Sequence, residues 1–387
     1  MLVPELKQVI RGAWARVRKS REPWKLARPI ASELAPVLTA LDRMIDRGDA
    51  AAAEEVLHQF IKAADKDIGD VDDSHGHLWP LCQEAVTLWG KAWGKITSRD
   101  TAQLAVLVFE GVHDNGYAIR DHMIRDFAQA LGRDGLQSLK SLLLAQHEAN
   151  VANDTREDWK RNEPLRHLED VADAMGDVDM YIDIKRRCGL EGIYATPIAR
   201  RLLDAGRAPE AMEYLNRADP TRSHASGEHD DFTTLRFKVL RALGRDDEAR
   251  ATLWQAFRSN LNGTALDQVL AMTPDEKRSS LMDEAYAAAE VYPNRLAAAK
   301  FLVERGQGVL ASKLIDTRPE EYDGRYYDSL LELARSLQDK FPASAWTLYR
   351  ALLLSILDEK RSKAYHHAAE YLAIARDLAE RAHLNER

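Results

Sequence analysis

Between residues 199 and 253 the chain writes one helical hairpin twice, and any fold it adopts must stop and reverse a helix at the same place in each copy. The first copy, residues 199–215, reads ARRLLDAGRAPEAMEYL, and the second, residues 237–253, reads FKVLRALGRDDEARATL. Each is a helix, a Gly-Arg turn and a returning helix. Gly206 and Gly244 stand where a helix needs a left-handed residue to end. Glu210 and Glu248 place a carboxylate in the first turn of the returning helix, where the helix dipole favours it. Ala211 and Ala249 are small where two antiparallel helices approach, and Leu215 and Leu253, one turn on, fill the shared core. The same logic recurs at Gly306, with Ala311 and Ile315, and at Gly48, with Ala53 and Leu57. The spacing is uneven, with 38 residues from Gly206 to Gly244 and 62 from Gly244 to Gly306.

The remaining text predicts helices almost without interruption and no alternating strand. Glycine, 20 in 387 residues, and proline, 13, are too sparse for a loop-rich all-β chain, while 45% hydrophobic residues suffice for a sizeable core. No window is apolar for the roughly 18 residues of a membrane span, and the start lacks a signal-peptide core, so the expected address is the cytoplasm. Cys82 and Cys188 have no companions at zinc-finger spacing, and both are read as reduced thiols. Arg186 and Arg187 beside Cys188 are the kind of neighbours that lower a thiol pKa; the bystander reading is preferred.

The net charge is −8, but Lys7, Arg11, Arg16, Arg18, Lys19, Arg21, Lys25 and Arg28 face only Glu5 and Glu22 in residues 1–29. A basic arm thus precedes an acidic body. Leu6, Ile10, Ala13, Trp14 and Val17 form an apolar stripe beside the basic face. The preferred reading packs that stripe on the next hairpin; the alternative is an arm that binds nucleic acid or anionic lipid. The polar cluster at residues 153–157 suggests a boundary, which gives a basic arm (1–29), an N-terminal helical-hairpin domain (30–155) and a helical-repeat domain (156–387).

Three stretches invite chemistry. Asp70, Asp72, Asp73, His75 and His77 are metal-ligand types in one turn, but without EF-hand or His-Glu-x-x-His spacing. Capping of the following helix by short oxygen side chains is preferred, and no metal or other cofactor is expected. Arg161 and His167 match the spacing of HEPN ribonucleases, in which the histidine would be a general base and the arginine would stabilise the phosphorane. Adjacent His366 and His367 point about 100° apart on a helix and are read as packing and surface residues.

The Gly-x-x-x-Glu-Ala-x-x-x-Leu text at 206–215 and 244–253 resembles the tetratricopeptide family. At Gly306 and Gly48 the pattern departs, with Leu310 and Ala52 in place of the glutamate. The Gly-Asp-Val-Asp turns at 69–72 and 176–179, with Tyr-His-His-Ala-Ala-Glu-Tyr-Leu at 365–372, look like an uncharacterised bacterial family of tetratricopeptide-like proteins. The resemblance implies an all-α, α-α hairpin solenoid of TPR-like type, irregular at its N-terminal repeats, and no catalytic residues. It also implies a non-enzymatic scaffold that holds a peptide or helix on the face lined by first helices. Six residues before each glycine stand Arg200, Lys238 and Lys300, expected to form a cationic ladder for an acidic segment of a partner protein. The rival function is a HEPN-like ribonuclease or a nucleic-acid-binding helical protein.

Overall fold

A computed structural model describes residues 3–153, 158–218 and 232–384. Among these residues there are nineteen α-helices and no strand, so the chain is all-α. It divides into two compact units, Met1–His229 and Asp230–Arg387. The long polar loop at 219–231 and residues 154–157 of the expected boundary lie outside the described residues.

The repeated glycines do what their spacing requires. Gly206 has φ +76°, a region L side chains rarely enter, and two bonds close the helix there. Gly206 N–H donates to Leu203 O at 2.9 Å and Arg207 N–H to Leu202 O at 2.7 Å. The same pair of bonds recurs at Gly48, Gly244 and Gly306. Beyond the expectation, the arginine after the glycine forks the glutamate three residues on. Arg207 holds Glu210 at 2.7 and 2.6 Å, and Arg245 holds Glu248 at 2.6 and 2.6 Å. Those bonds pull both carboxyls below the usual glutamate range. At Gly306 the positions carry Gln307 and Leu310; leucine offers no acceptor, and the clamp is absent there.

In the first unit, α1 (Val3–Lys19) buries Leu6, Ile10, Ala13, Trp14 and Val17 against α2 (Ala27–Asp46) and α3 (Ala50–Asp67). This is the packed reading of the basic stretch. Three of its cations meet carboxylates on the neighbouring helices: Lys7 reaches Glu55 at 2.5 Å, Arg16 pairs with Glu33, and Arg18 pairs with the buried Asp67. α4 (Trp79–Lys95), α5 (Thr101–His113) and α6 (Met123–Ala152) continue the stack, α6 bending at Gly132. α7 (Asp158–Met175) packs on α6, and its Leu165, Leu168 and Val171 join the core that contains Trp14 and Phe60. Helices on both sides of residue 155 therefore share one apolar interior. α8 (Val178–Arg187), α9 (Ala195–Asp204) and α10 (Ala208–Arg217) complete the described part of this unit.

The second unit begins with the hairpin α11 (Phe232–Ala242) and α12 (Asp246–Asn260). The long step from Gly244 to Gly306 holds a further pair, α13 (Gly263–Ala271) and α14 (Asp275–Glu290), before α15 (Arg295–Glu304) and α16 (Gly308–Thr317). Pro274 immediately precedes α14. α17 (Tyr327–Leu337), α18 (Pro342–Asp358) and α19 (Tyr365–Arg381) close the unit. α15 packs on α17 and α16 on α18, so successive hairpins stack like on like. At the seams Ala249 and Ala311 are fully buried, as are Ala53 and Ala211 in the first unit, which is the close approach their size permits.

Candidate functional site

The three cations of the expected ladder lie on first helices, Arg200 on α9, Lys238 on α11 and Lys300 on α15. Arg200 belongs to the first unit, in an open groove of about 460 Å³ that it lines with Asp173, Asp177, Asp204 and its neighbour Arg201. Arg201 forks Asp173 at 2.7 and 2.8 Å and lies 3.8 Å from the centre of the Tyr181 ring. Lys238 and Lys300 belong to the second unit, with α12, α13 and α14 between their helices in the chain. Lys238 is exposed, while Lys300 spans from α15 to α17 to meet Glu332 at 2.7 Å.

The turn at 70–77 is a cap. The Asp73 carboxylate accepts from the backbone N–H groups of His77 at 2.8 Å, Leu78 at 3.0 Å and Trp79 at 2.7 Å, satisfying donors that the start of α4 would leave unpaired. Asp72 accepts from Ser74, which holds its carboxyl below the usual range. Among the described residues no group of three or more His, Cys, Asp or Glu side chains is arranged to hold a metal ion.

His167 is only 6% exposed, and its Nε2 has no hydrogen-bond partner among the described residues. Burial, followed by the charge of Arg166 and by His113, pushes its pKa down to about 4. Arg161 lies six residues earlier on the same helix, about 240° around it, which directs the two side chains away from each other. The pattern that suggested a ribonuclease is thus a buried neutral imidazole on a structural helix. On the same helix, burial and then Asp173 and Glu169 raise Asp170 to about 6. Lys185 is also buried: its ammonium meets Glu169 at 2.6 Å and lies 3.4 Å from the Tyr194 ring centre. Cys188 is pushed up, by burial and then Glu169, against the lowering effect of Lys185, so it is a bystander thiol.

A further cavity is one that the sequence did not point to. α17 and α19 both pack on α18, and a cavity of about 330 Å³ opens among the three. Each helix supplies one stripe at helical spacing: Tyr327, Leu331 and Arg335 from α17, Leu352 and Ile356 from α18, and His367 and Tyr371 from α19. The loop before α17 lies close against α18, where a Cβ on Gly324 would come within 2.2 Å of Ala351 O; only glycine fits. Arg381 fixes α19 to the far end of α17 by donating to Gln338 O at 2.9 Å and Asp339 O at 3.1 Å. Tyr371 is buried, its ring tilted by 49° against that of Tyr349 with centres 5.9 Å apart, while Tyr327 and His367 are exposed. The one signal available beforehand was the 365–372 stretch, which supplies His367, Glu370 and Tyr371 to the walls.

A family described as a family of unknown function, DUF6880, matches the chain over residues 5–384. No curated protein matches it. Among solved structures, one titled "Circular tandem repeat protein with novel repeat topology and enhanced subunit contact surfaces" is similar at 13% identity, covering 100% of this chain and 98% of that one. Its TM-score is 0.21, too low to superpose the two backbones as one fold. No helix among the described residues is long and apolar enough to cross a membrane.

Proposed function

For a chain that belongs to the DUF6880 family, a family of unknown function, along residues 5–384, we propose a non-enzymatic role as a TPR-like scaffold of the cytoplasm that holds an acidic segment of another protein. The observation that carries this reading is the like-on-like stacking of the second unit, in which α15 meets α17 and α16 meets α18. First helices then line their own face, as in repeat proteins that hold extended peptides. Lys238 offers an exposed cation on a first helix, and Lys300 reaches from one first helix to the next to find Glu332. An acidic ligand would compete with Glu332 for that ammonium. Arg200 adds a guanidinium in its own unit, in a groove whose carboxylates restrict which acidic segment is accepted. The ribonuclease and basic-arm readings have less support, because His167 is buried and three of the cations of α1, Lys7, Arg16 and Arg18, already meet carboxylates of α2 and α3.

The test is a fluorescence-anisotropy titration of the full chain with a Glu/Asp-rich peptide. Lys238→Glu and Arg200→Glu should each weaken binding roughly tenfold, and added salt should weaken it further. Binding indifferent to both changes and to salt would refute the cationic face.

A further inference from the structure

We propose that the cavity walled by α17, α18 and α19 binds a small amphipathic carboxylate, an aryl- or alkyl-carboxylic acid, with its hydrocarbon body inside and its carboxylate on Arg335. This site is separate from the first-helix cations and does not depend on the scaffold reading.

The size and the walls set the class of ligand. About 330 Å³ lies at the lower end of the roughly 300–1,000 Å³ that ligand pockets occupy, which suits a small molecule rather than a folded partner. Leu331, Leu352, Ile356 and the ring of Tyr371 give the interior an apolar surface. Such a space gains by exchanging water for hydrocarbon.

The polar groups set the sign. Of the two guanidiniums on the lining, Arg361 is already forked onto Glu359. Glu370, the one carboxylate on the lining, lies 3.8 Å from His367 Nδ1. Arg335 forms no ion pair among the described residues and stands beside the hydroxyl of Tyr349, whose pKa burial raises against the opposing charge and hydrogen bond of that guanidinium. Three turns of one helix face thus run Tyr327, Leu331, Arg335, from an aromatic ring over an aliphatic wall to a cation without an anion. A guanidinium cannot shed its proton and offers a planar fork that matches a carboxylate. A neutral or cationic ligand would leave that fork unused.

The experiment is isothermal titration calorimetry of the full chain with 3-phenylpropionate, its methyl ester and 3-phenylpropylamine, repeated on Arg335→Gln and Leu331→Trp. Arg335 is exposed, so its replacement should leave the helical circular-dichroism spectrum unchanged. The expected result is one-site binding of the acid, weakened tenfold or more by esterification and by Arg335→Gln, and lost when the Leu331→Trp indole fills the space. Any of three outcomes overturns the proposal: acid and ester binding equally, the amine binding better than the acid, or no heat from the acid up to millimolar concentration with the wild-type chain. Acid binding that Arg335→Gln leaves unchanged would likewise place the carboxylate elsewhere.

Discussion

Replacing His167 with leucine should remove an acid-sensitive step from the first unit. The folded imidazole titrates near 4 against 6.5 for a free one, so the fold holds the neutral ring. Each pH unit of that gap corresponds to about 1.4 kcal/mol, which makes protonating His167 in place cost about 3 kcal/mol. The sign follows from the protons bound. Below pH 6.5 the unfolded chain binds a proton that the folded chain refuses, so this contribution is complete above about pH 6.5 and is lost as the pH falls towards 4. Asp170 opposes it: its raised value means the folded state keeps a proton longer, so its contribution falls as pH rises from about 4 to 6. Comparing wild type with His167→Leu cancels Asp170 and leaves the histidine. Urea unfolding followed by tryptophan fluorescence reports mainly on the right unit, since Trp14, Trp24, Trp79, Trp89, Trp93 and Trp159 all precede residue 230. Between about pH 7.5 and 4.5 the wild type should lose about 2–3 kcal/mol more than the variant. Parallel pH profiles, or an imidazole NMR titration near 6.5, would refute the buried neutral ring.

Two other changes test buried polar contacts. Glu169→Gln strands the Lys185 ammonium in the interior and should cost about 3–5 kcal/mol in chemical unfolding, whereas the double change Glu169→Leu with Lys185→Met should recover most of it; a neutral single change would mean that water reaches the lysine. Asp73→Ala removes the acceptor for three amides at the start of α4 and should cost about 1–2 kcal/mol, with faster hydrogen exchange at His77, Leu78 and Trp79; unchanged exchange would deny the cap.

The hairpins were legible because their determinants are local. A left-handed glycine, a small residue five positions on and an apolar residue one turn later lie within ten residues of each other, and each acts on its own helix end. The Asp73 cap was legible for the same reason. The cavity was not, since its walls come from three helices whose stripes, 327–335, 352–356 and 367–371, meet only after packing. Lys185 had no local signal either: it stands next to Arg186 and Arg187 in sequence, yet it turns inward onto Glu169 and Tyr194. Local polarity at residues 153–157 says nothing of tertiary burial: α6 and α7, on either side of it, bury apolar faces in common. The cationic column was read from spacing alone, and spacing along the chain does not say which carboxylates, such as Glu332, will already be waiting.

The insertion between Gly244 and Gly306 adds an even number of rods. Parity is therefore conserved: α11, α13, α15, α17 and α19 remain the odd members and α12, α14, α16 and α18 the even ones. A single extra rod would have exchanged the two sides of the layer for everything downstream, putting Lys300 and Glu332 on the side opposite to Lys238. Such a chain can lengthen by twos without disturbing what lies beyond, but not by ones.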